Sequence, residues 1–130
     1  MTAYTCGVVE DEELARDLLI RFINRHNELH LKWARESFST LSEDEPLPDV
    51  NLLFLDLLDK PYDAAKVSKE IKKYAKQFEH TIITTAYPAA HVKKLGIRFT
   101  KLLNKPYTYD MFERVVNELL EELKGKAVSL

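Results

Sequence analysis

The sequence has one cysteine, three glycines and no long apolar run among its 130 residues. A lone cysteine excludes an internal disulfide and favours a reducing compartment, so we predict a cytoplasmic protein in which Cys6 is a small buried strand residue. The longest apolar stretches, such as Leu52–Leu55, are far too short to cross a membrane. The amino terminus lacks the pattern of an export signal, and we expect none.

Strong charge of one sign is also missing. The net charge is −2, from 19 Lys and Arg against 21 Asp and Glu. Lys93, Lys94 and Lys101 form too thin a cluster to predict nucleic-acid binding, so no direct contact with nucleic acid is expected. The length suits one domain over residues 1–130, and we expect a flexible tail from about residue 125.

Five short segments have the composition of β-strands, and helical patterns lie between and after them. The predicted strands are Tyr4–Val9, Leu29–Ala34, Asn51–Asp56, Thr81–Thr85 and Phe99–Leu103. The predicted helices comprise one carrying Ala15, Leu18, Leu19 and Phe22, a brief one at Ser37–Ser42, one capped by Asp63, one from Pro88 to Gly96, and one capped by Thr108. Such alternation predicts an α/β fold with a doubly wound parallel sheet and helices on both faces. A five-stranded chain of this kind fits the flavodoxin-like strand order 2-1-3-4-5.

Polar residues stand where the predicted strands end, and ligands bind at that edge of an open parallel sheet. Glu10 and Asp11 follow the first strand, and Asp56 closes the third. Thr85 ends the fourth strand, and Lys105 follows the fifth. We therefore expect three carboxylates, a hydroxyl and an ammonium group in one pocket.

Crowded carboxylates repel one another unless a cation is present, and Mg²⁺ prefers oxygen ligands together with phosphate and water. We predict Asp11 and Asp56 as direct ligands and Glu10 as a ligand through water. An aspartate can also attack phosphorus to form an aspartyl-phosphate, provided that the charge on the transferred group is neutralised. Lys105 and Mg²⁺ would neutralise that charge, and the Thr85 hydroxyl would donate to a phosphoryl oxygen.

Four motifs resemble those of response regulator receiver domains from two-component signalling, including the chemotaxis regulators. They are Val8-Val9-Glu10-Asp11-Glu12, Leu53-Phe54-Leu55-Asp56, Ile82-Ile83-Thr84-Thr85-Ala86 and Leu103-Asn104-Lys105-Pro106-Tyr107. The resemblance covers nearly the whole chain and implies that Asp56 is the phosphoacceptor, with Glu10 and Asp11 as the metal-binding pair. It also implies that Thr85 is the switch hydroxyl and that Lys105 contacts the phosphate.

The same resemblance implies further features. The main-chain carbonyl of Leu58 would be a metal ligand, and the Lys105–Pro106 peptide bond would be cis. A histidine kinase or histidine phosphotransfer protein would supply the phosphoryl group, and the output would be a downstream protein or an attached effector domain. A homodimer could form through the last two helices and the last strand. The chain would catalyse only its own phosphorylation and dephosphorylation, and so would not be an enzyme in the usual sense.

The chain departs from the family pattern at three places. Pro61 lies one position later than usual in the loop after Asp56, and Ala64 replaces a usual glycine. Leu102 stands where receivers carry an aromatic switch residue, three positions before Lys105. Gly96 is further from Lys105 than usual, so we expect an irregular segment after the fourth predicted helix.

Three alternatives compete with a phosphorylated receiver. A phosphatase of the haloacid dehalogenase type needs an aspartate two residues after the nucleophile, where this chain has Leu58. A nucleotide- or flavin-binding module needs glycines after the first strand, where this chain has Glu10-Asp11-Glu12. A pseudo-receiver that binds a partner without phosphorylation is the remaining alternative, and failure to bind Mg²⁺ would favour it.

Overall fold

The structure is a computed structural model that describes residues 3–36, 47–57, 72–73 and 75–128, with side chains described as far as residue 125. Its strands are β1 (Tyr4–Val9), β2 (Leu29–Arg35), β3 (Leu52–Asp56), β4 (Thr81–Thr85) and β5 (Lys101–Asn104). Its helices with defined bounds are α1 (Glu13–Arg25), α2 (Ala89–Lys94) and α3 (Tyr109–Val128). Within these ranges, no helix is both long enough and apolar enough to cross a membrane.

All five strands form one parallel sheet in the order β2-β1-β3-β4-β5. This arrangement confirms the predicted doubly wound sheet and its flavodoxin-like order. The side on which strands are added changes at β1. The chain first places β2 on one side of β1 and then places β3, β4 and β5 on the other. The carboxyl ends of β1 and β3 therefore lie side by side, where a crevice opens in folds of this kind.

Side chains alternate across the central strands and so divide the core into two layers. In β3, for example, Leu52 and Phe54 face the layer next to α1 and α3, whereas Leu53 and Leu55 face the layer next to α2. Every residue of β3 and β4 is buried, which is the pattern of strands covered on both faces. Edge strand β2 instead alternates buried and more exposed positions.

Gly7 and Trp33 make the closest approach between β1 and β2. The Trp33 ring lies over Gly7, and a Cβ atom added to Gly7 would be 2.5 Å from a carbon of that ring. The indole N–H donates to the carbonyl of Pro48 at 2.9 Å, which holds the ring in place. The β1–β2 register also shifts between Cys6 and Gly7. Gly7 is therefore required by packing, because any larger residue would displace the tryptophan.

Two buried links join the helices to the sheet and to each other. His26, at the end of α1, has Nε2 at 2.8 Å from the side-chain oxygen of Asn117 in α3. Its Nδ1 accepts a hydrogen bond from the N–H of Glu28 at 3.1 Å. The imidazole therefore connects α1, α3 and the entrance to β2 by hydrogen bonds to both of its nitrogens.

The predicted elements that fall within the described residues are largely confirmed. The Thr108 hydroxyl accepts from the N–H of Met111 at 3.2 Å and so caps α3, and Gly96 follows α2 with a φ of 68°. The expected irregular segment follows Gly96, as residues 97–100 have no regular structure. α3 extends to Val128, which is past the point where we expected a flexible tail to begin.

The bounds of the last strand differ most from the prediction. The predicted strand Phe99–Leu103 is observed at Lys101–Asn104, because the side chains of Ile97 and Phe99 pack on the α2 layer before the strand begins. The brief helix predicted at Ser37–Ser42 and the helix start at Asp63 lie outside the described residues. The described end of the latter segment is helical at residues 72, 73 and 75.

Candidate functional site

The carboxyl ends of four strands bring five polar side chains to one edge of the sheet. Asp56 ends β3 and is paired in register with Thr84, so that Thr85 lies one residue further along β4. Glu10 and Asp11 directly follow β1, the other neighbour of β3. Lys105 follows β5, and its N–H donates to the carbonyl of Thr85 at 2.8 Å. The fold therefore assembles the group of residues that the strand ends predicted.

Glu10, Asp11 and Asp56 form a compact group of carboxylates. One oxygen from each lies within 4.8 Å of the others. Glu10 and Asp56 are buried, with 2% and 4% of their surface exposed, and Asp11 is more exposed than either. The three carboxylates offer hard oxygen donors, two from the buried pair and one from the more exposed Asp11. Such a group suits a small divalent cation that keeps some of its water. These residues therefore fit a Mg²⁺ ion.

Lys105 is a cation that contacts two of these three carboxylates. Its Nζ donates to Glu10 Oε1 at 2.7 Å and to Asp56 Oδ1 at 2.8 Å. Glu10 is further held by the N–H of Glu12, which donates to Oε2 at 3.4 Å, and by Arg16, which donates to its main-chain carbonyl at 3.0 Å. Sequence reasoning placed Lys105 against the phosphoryl group but did not predict its contact with Glu10.

Burial and the neighbouring charges shift the ionisation of the group. Burial, together with the hydrogen bond and negative charge of Glu10, raises the pKa of Asp56 to about 9. Burial alone would raise the pKa of Glu10, but hydrogen bonds from Asp56 and Lys105 leave that pKa below its usual value. The direction of the shift favours a proton at Asp56 over ionisation of both acids. A divalent ion would compete with that proton for the same oxygens.

The segment after β4 is held by hydrogen bonds that sequence reasoning did not predict. The N–H of Tyr87 donates to the Thr85 hydroxyl oxygen at 3.0 Å. The side-chain amide of Asn104 donates to the carbonyl of Tyr87 at 2.8 Å and more weakly to that of Thr85 at 3.3 Å. The Tyr87 ring stacks on His91 with 4.7 Å between ring centroids. The position of Asn104 next to Lys105 was the only sequence signal for this contact.

The peptide bond between Lys105 and Pro106 is cis, which confirms that prediction. Tyr107 follows, and its ring contacts Phe22 of α1 with 5.9 Å between centroids. Burial raises the pKa of the Tyr107 phenol to about 12. Leu102 is half-buried against the α2 layer. The Leu58 carbonyl, predicted as a metal ligand, lies outside the described residues.

Comparison with solved structures identifies the fold. The response regulatory domain of MrkE from Klebsiella pneumoniae matches with a TM-score of 0.63 and 20% identity, covering 90% of this chain and 98% of that one. RcsB from Salmonella typhimurium matches with a TM-score of 0.73 and 15% identity, covering 94% of this chain and 61% of that one. The chain has the fold of a response regulator receiver domain. A LuxR-family response regulator from Staphylococcus aureus matches with a TM-score of 0.60 and 17% identity, covering 88% of this chain and 97% of that one.

A curated relative is similar to the chain in sequence. The sensory transduction protein LytT of Oceanobacillus iheyensis is 29% identical over 122 residues, which cover 93% of this chain. The chain spans half the length of that relative. No family model matches the chain.

Proposed function

We propose that this receiver domain is a phosphorylation switch in which Asp56 is the phosphoacceptor. One observation carries the proposal: Asp56 stands at the carboxyl end of the central strand, with the Lys105 ammonium at 2.8 Å and two further carboxylates within 4.8 Å. A structural ion pair needs one acid and one base. The two additional acids are costly because one of them, Glu10, is buried, and binding of a divalent ion next to a phosphoryl group accounts for them.

In the proposed reaction, a carboxylate oxygen of Asp56 attacks the phosphorus of a phosphorylated histidine. A new oxygen–phosphorus bond forms, the nitrogen–phosphorus bond breaks, and the electron pair leaves with the histidine nitrogen. The imidazole leaves in its neutral form because its other ring nitrogen carries a proton. Asp56 attacks as its carboxylate, so that any proton on this carboxyl group passes to water first. Mg²⁺ held by Glu10, Asp11 and Asp56 would supply positive charge to the transferred group, and the carbonyl of Leu58 is proposed as a further ligand.

Lys105 and Thr85 would respond to the new group. The Lys105 ammonium already contacts the attacked carboxylate and can donate to a phosphoryl oxygen without leaving the site. The Thr85 hydroxyl accepts a hydrogen bond from Tyr87, and its own hydrogen remains available for donation to the phosphoryl group. The switch would therefore begin at the end of β4.

The partners follow from this reaction. A histidine kinase or phosphotransfer protein would donate the phosphoryl group, and a downstream protein or an attached effector domain would receive the signal. RcsB has been described in complex with DNA, but for this domain we retain the prediction that it makes no direct contact with nucleic acid. A homodimer through α2, β5 and α3 and a cytoplasmic location also remain predictions. The domain would turn over no substrate besides its own phosphoryl group.

The test is incubation with acetyl phosphate and Mg²⁺, followed by intact-mass analysis. We expect the mass of one phosphoryl group to be added to the wild type, in an adduct that is stable to acid and labile to base. Asp56→Asn should gain nothing, and Asp110→Asn, a change at an exposed acid in the first turn of α3, should be labelled like the wild type. An unlabelled wild type beside a labelled control receiver would reject the proposal and favour a pseudo-receiver.

A further inference from the structure

The side chain of Asn104 connects the two strand ends that would contact a phosphoryl group. Asn104 is the last residue of β5 and immediately precedes Lys105. Its amide donates to the main-chain carbonyls of Tyr87 and Thr85, at 2.8 and 3.3 Å. The N–H of Lys105 donates to the same Thr85 carbonyl at 2.8 Å. The last residue of β5 and the residue that follows it therefore both bind the end of β4 and the segment after it.

The same segment controls the Thr85 hydroxyl. Tyr87 is held at both of its main-chain polar groups, since its N–H donates to the Thr85 oxygen at 3.0 Å and its carbonyl accepts from Asn104. The Thr85 side chain is fully buried. Movement of its hydroxyl towards Asp56 would strain the hydrogen bond to Tyr87. The hydrogen bond from the Asn104 amide would be strained as well, because it holds the carbonyl of the same Tyr87.

An asparagine at this position does what the neighbouring side chains cannot do. Leu102 and Leu103 have no polar group, and both pack in the core layers. Lys105 has its ammonium engaged by Glu10 and Asp56. Among the described residues, Asn104 therefore provides the side-chain hydrogen bonds that join β5 to the segment after β4. Its carboxamide suits this link, because one planar NH₂ group carries two hydrogens and can serve two acceptors.

We propose that Asn104 is a positioning residue that transmits the state of the Thr85 hydroxyl to β5 and the start of α3. The inference rests on the proposed phosphorylation of Asp56. It also explains how a receiver with Leu102 in place of an aromatic residue would pass on its signal. A pair of hydrogen bonds of this kind shifts a two-state equilibrium by about twofold to tenfold, which is enough to bias a switch without fixing it in one state.

The experiment compares amide NMR spectra before and after phosphorylation with acetyl phosphate and Mg²⁺, with the labelled fraction measured by intact mass. Asn104→Asp preserves the shape but replaces the donor by an acceptor, and Asn104→Leu removes the polar group at similar size. Asn24→Asp, at an exposed position in α1, controls for added charge. For each phosphorylated molecule, we expect both Asn104 variants to show about half or less of the wild-type shift changes at Leu102, Leu103 and the first turn of α3.

The possible outcomes separate this inference from the proposed function. If the wild type is not phosphorylated, the proposed function fails and the inference fails with it. If the wild type and Asn104→Asp are both phosphorylated and show equal shift changes in β5 and α3, the inference is overturned while the function stands.

Two further variants decide the matter if Asn104→Asp does not fold. Asn104→Gln keeps a donating amide and should retain more of the shift changes than Asn104→Leu does, and equal losses would contradict the proposal. Thr85→Ala combined with Asn104→Leu should lose no more than Thr85→Ala alone, because both residues act in one chain of contacts. Additive losses would show that Asn104 acts independently of Thr85.

Discussion

Lys105 and Asp56 form an ion pair of 2.8 Å in which the two partners differ in exposure: the carboxylate side chain is 3% exposed and the lysine side chain 19%. The same ammonium contacts Glu10 at 2.7 Å. One cation thus contacts two buried acids, and ionisation of both acids is unfavourable until a metal ion binds. Two buried acids with one base lower the stability of the fold, and such a cost is typical of sites that carry out chemistry.

Removing charge from this site should therefore change stability in opposite directions. Without divalent ions, Asp56→Asn should stabilise the domain by about 1 kcal/mol, because it removes an acid and keeps the shape. Lys105→Met should destabilise it by about 2–4 kcal/mol, since two acids remain buried without their cation. Urea unfolding at neutral pH measures both changes. Lys124→Met, at an exposed ion pair with Glu28, is the control and should have no measurable effect. Stabilisation by Lys105→Met would contradict this account.

The metal site should distinguish two neighbouring acids. Asp11→Ala removes one of the three clustered carboxylates and should weaken Mg²⁺ binding about tenfold or more, a loss of ~1.4 kcal/mol. Glu12→Ala should change binding little, because the Glu12 side chain is exposed and its N–H, which contacts Glu10, is retained. Titration with Mg²⁺ by calorimetry gives both affinities. Equal effects of the two substitutions would argue against a metal at this position.

The packing of β1 can be tested at Gly7, with Gly125 in α3 as the control. Gly7→Ala should destabilise the domain by about 1–3 kcal/mol, because the new methyl group would lie 2.5 Å from the Trp33 ring. Gly125→Ala lies in α3, where the new methyl group would meet nothing within 4 Å besides its chain neighbours and the helix backbone, and it should stabilise the domain by about 0.5–1 kcal/mol through helix propensity. Thermal or urea unfolding reports both. A neutral Gly7→Ala would mean that the Trp33 ring moves aside without loss.

Cys6 should be unreactive in the folded domain. Burial raises the pKa of its thiol from 9.0 to about 12, so the reactive thiolate is scarce at pH 8. Modification by a chromogenic disulfide at pH 8 should therefore be about a hundredfold or more slower in the native protein than in denaturant. Because the folded pKa is the higher one, this contribution to stability is complete below pH 9 and falls as the pH rises towards 12. Equal rates in the two states would contradict the buried position.

The contribution of Cys6 to the pH dependence of stability can be separated from that of other groups that titrate in the same range. Cys6→Ala lacks the thiol but keeps a small apolar side chain, so it should lose less stability between pH 9 and pH 10 than the wild type does. The difference between the two slopes, measured by urea unfolding, is the contribution of Cys6. Identical slopes would show that the thiol ionises alike in the folded and unfolded chains.

The local sequence determines much of the secondary structure of this domain. The run Leu52–Leu55 predicts a strand that is buried on both faces, because every position in it is apolar. Thr81–Thr85 predicts a strand through its β-branched residues. Thr108 and Gly96 mark helix boundaries through hydrogen bonding and backbone conformation that depend on nearby residues alone. The grouping of Glu10, Asp11, Asp56 and Lys105 also followed from sequence, since the carboxyl ends of parallel strands must lie at one edge.

Tertiary structure alone decided the contacts that depend on distance between side chains far apart in sequence. No periodicity predicts that the Trp33 ring covers Gly7, that His26 meets Asn117 across 91 positions, or that Lys105 contacts Glu10 as closely as Asp56. The start of β5 moved to Lys101 because Ile97 and Phe99 pack on the core first. Asn104 was an ordinary polar residue in the sequence. Only the register of β4 against β5, with Thr85 opposite Asn104, brings its amide to Tyr87, because hydrogen bonds require a geometry that composition does not contain.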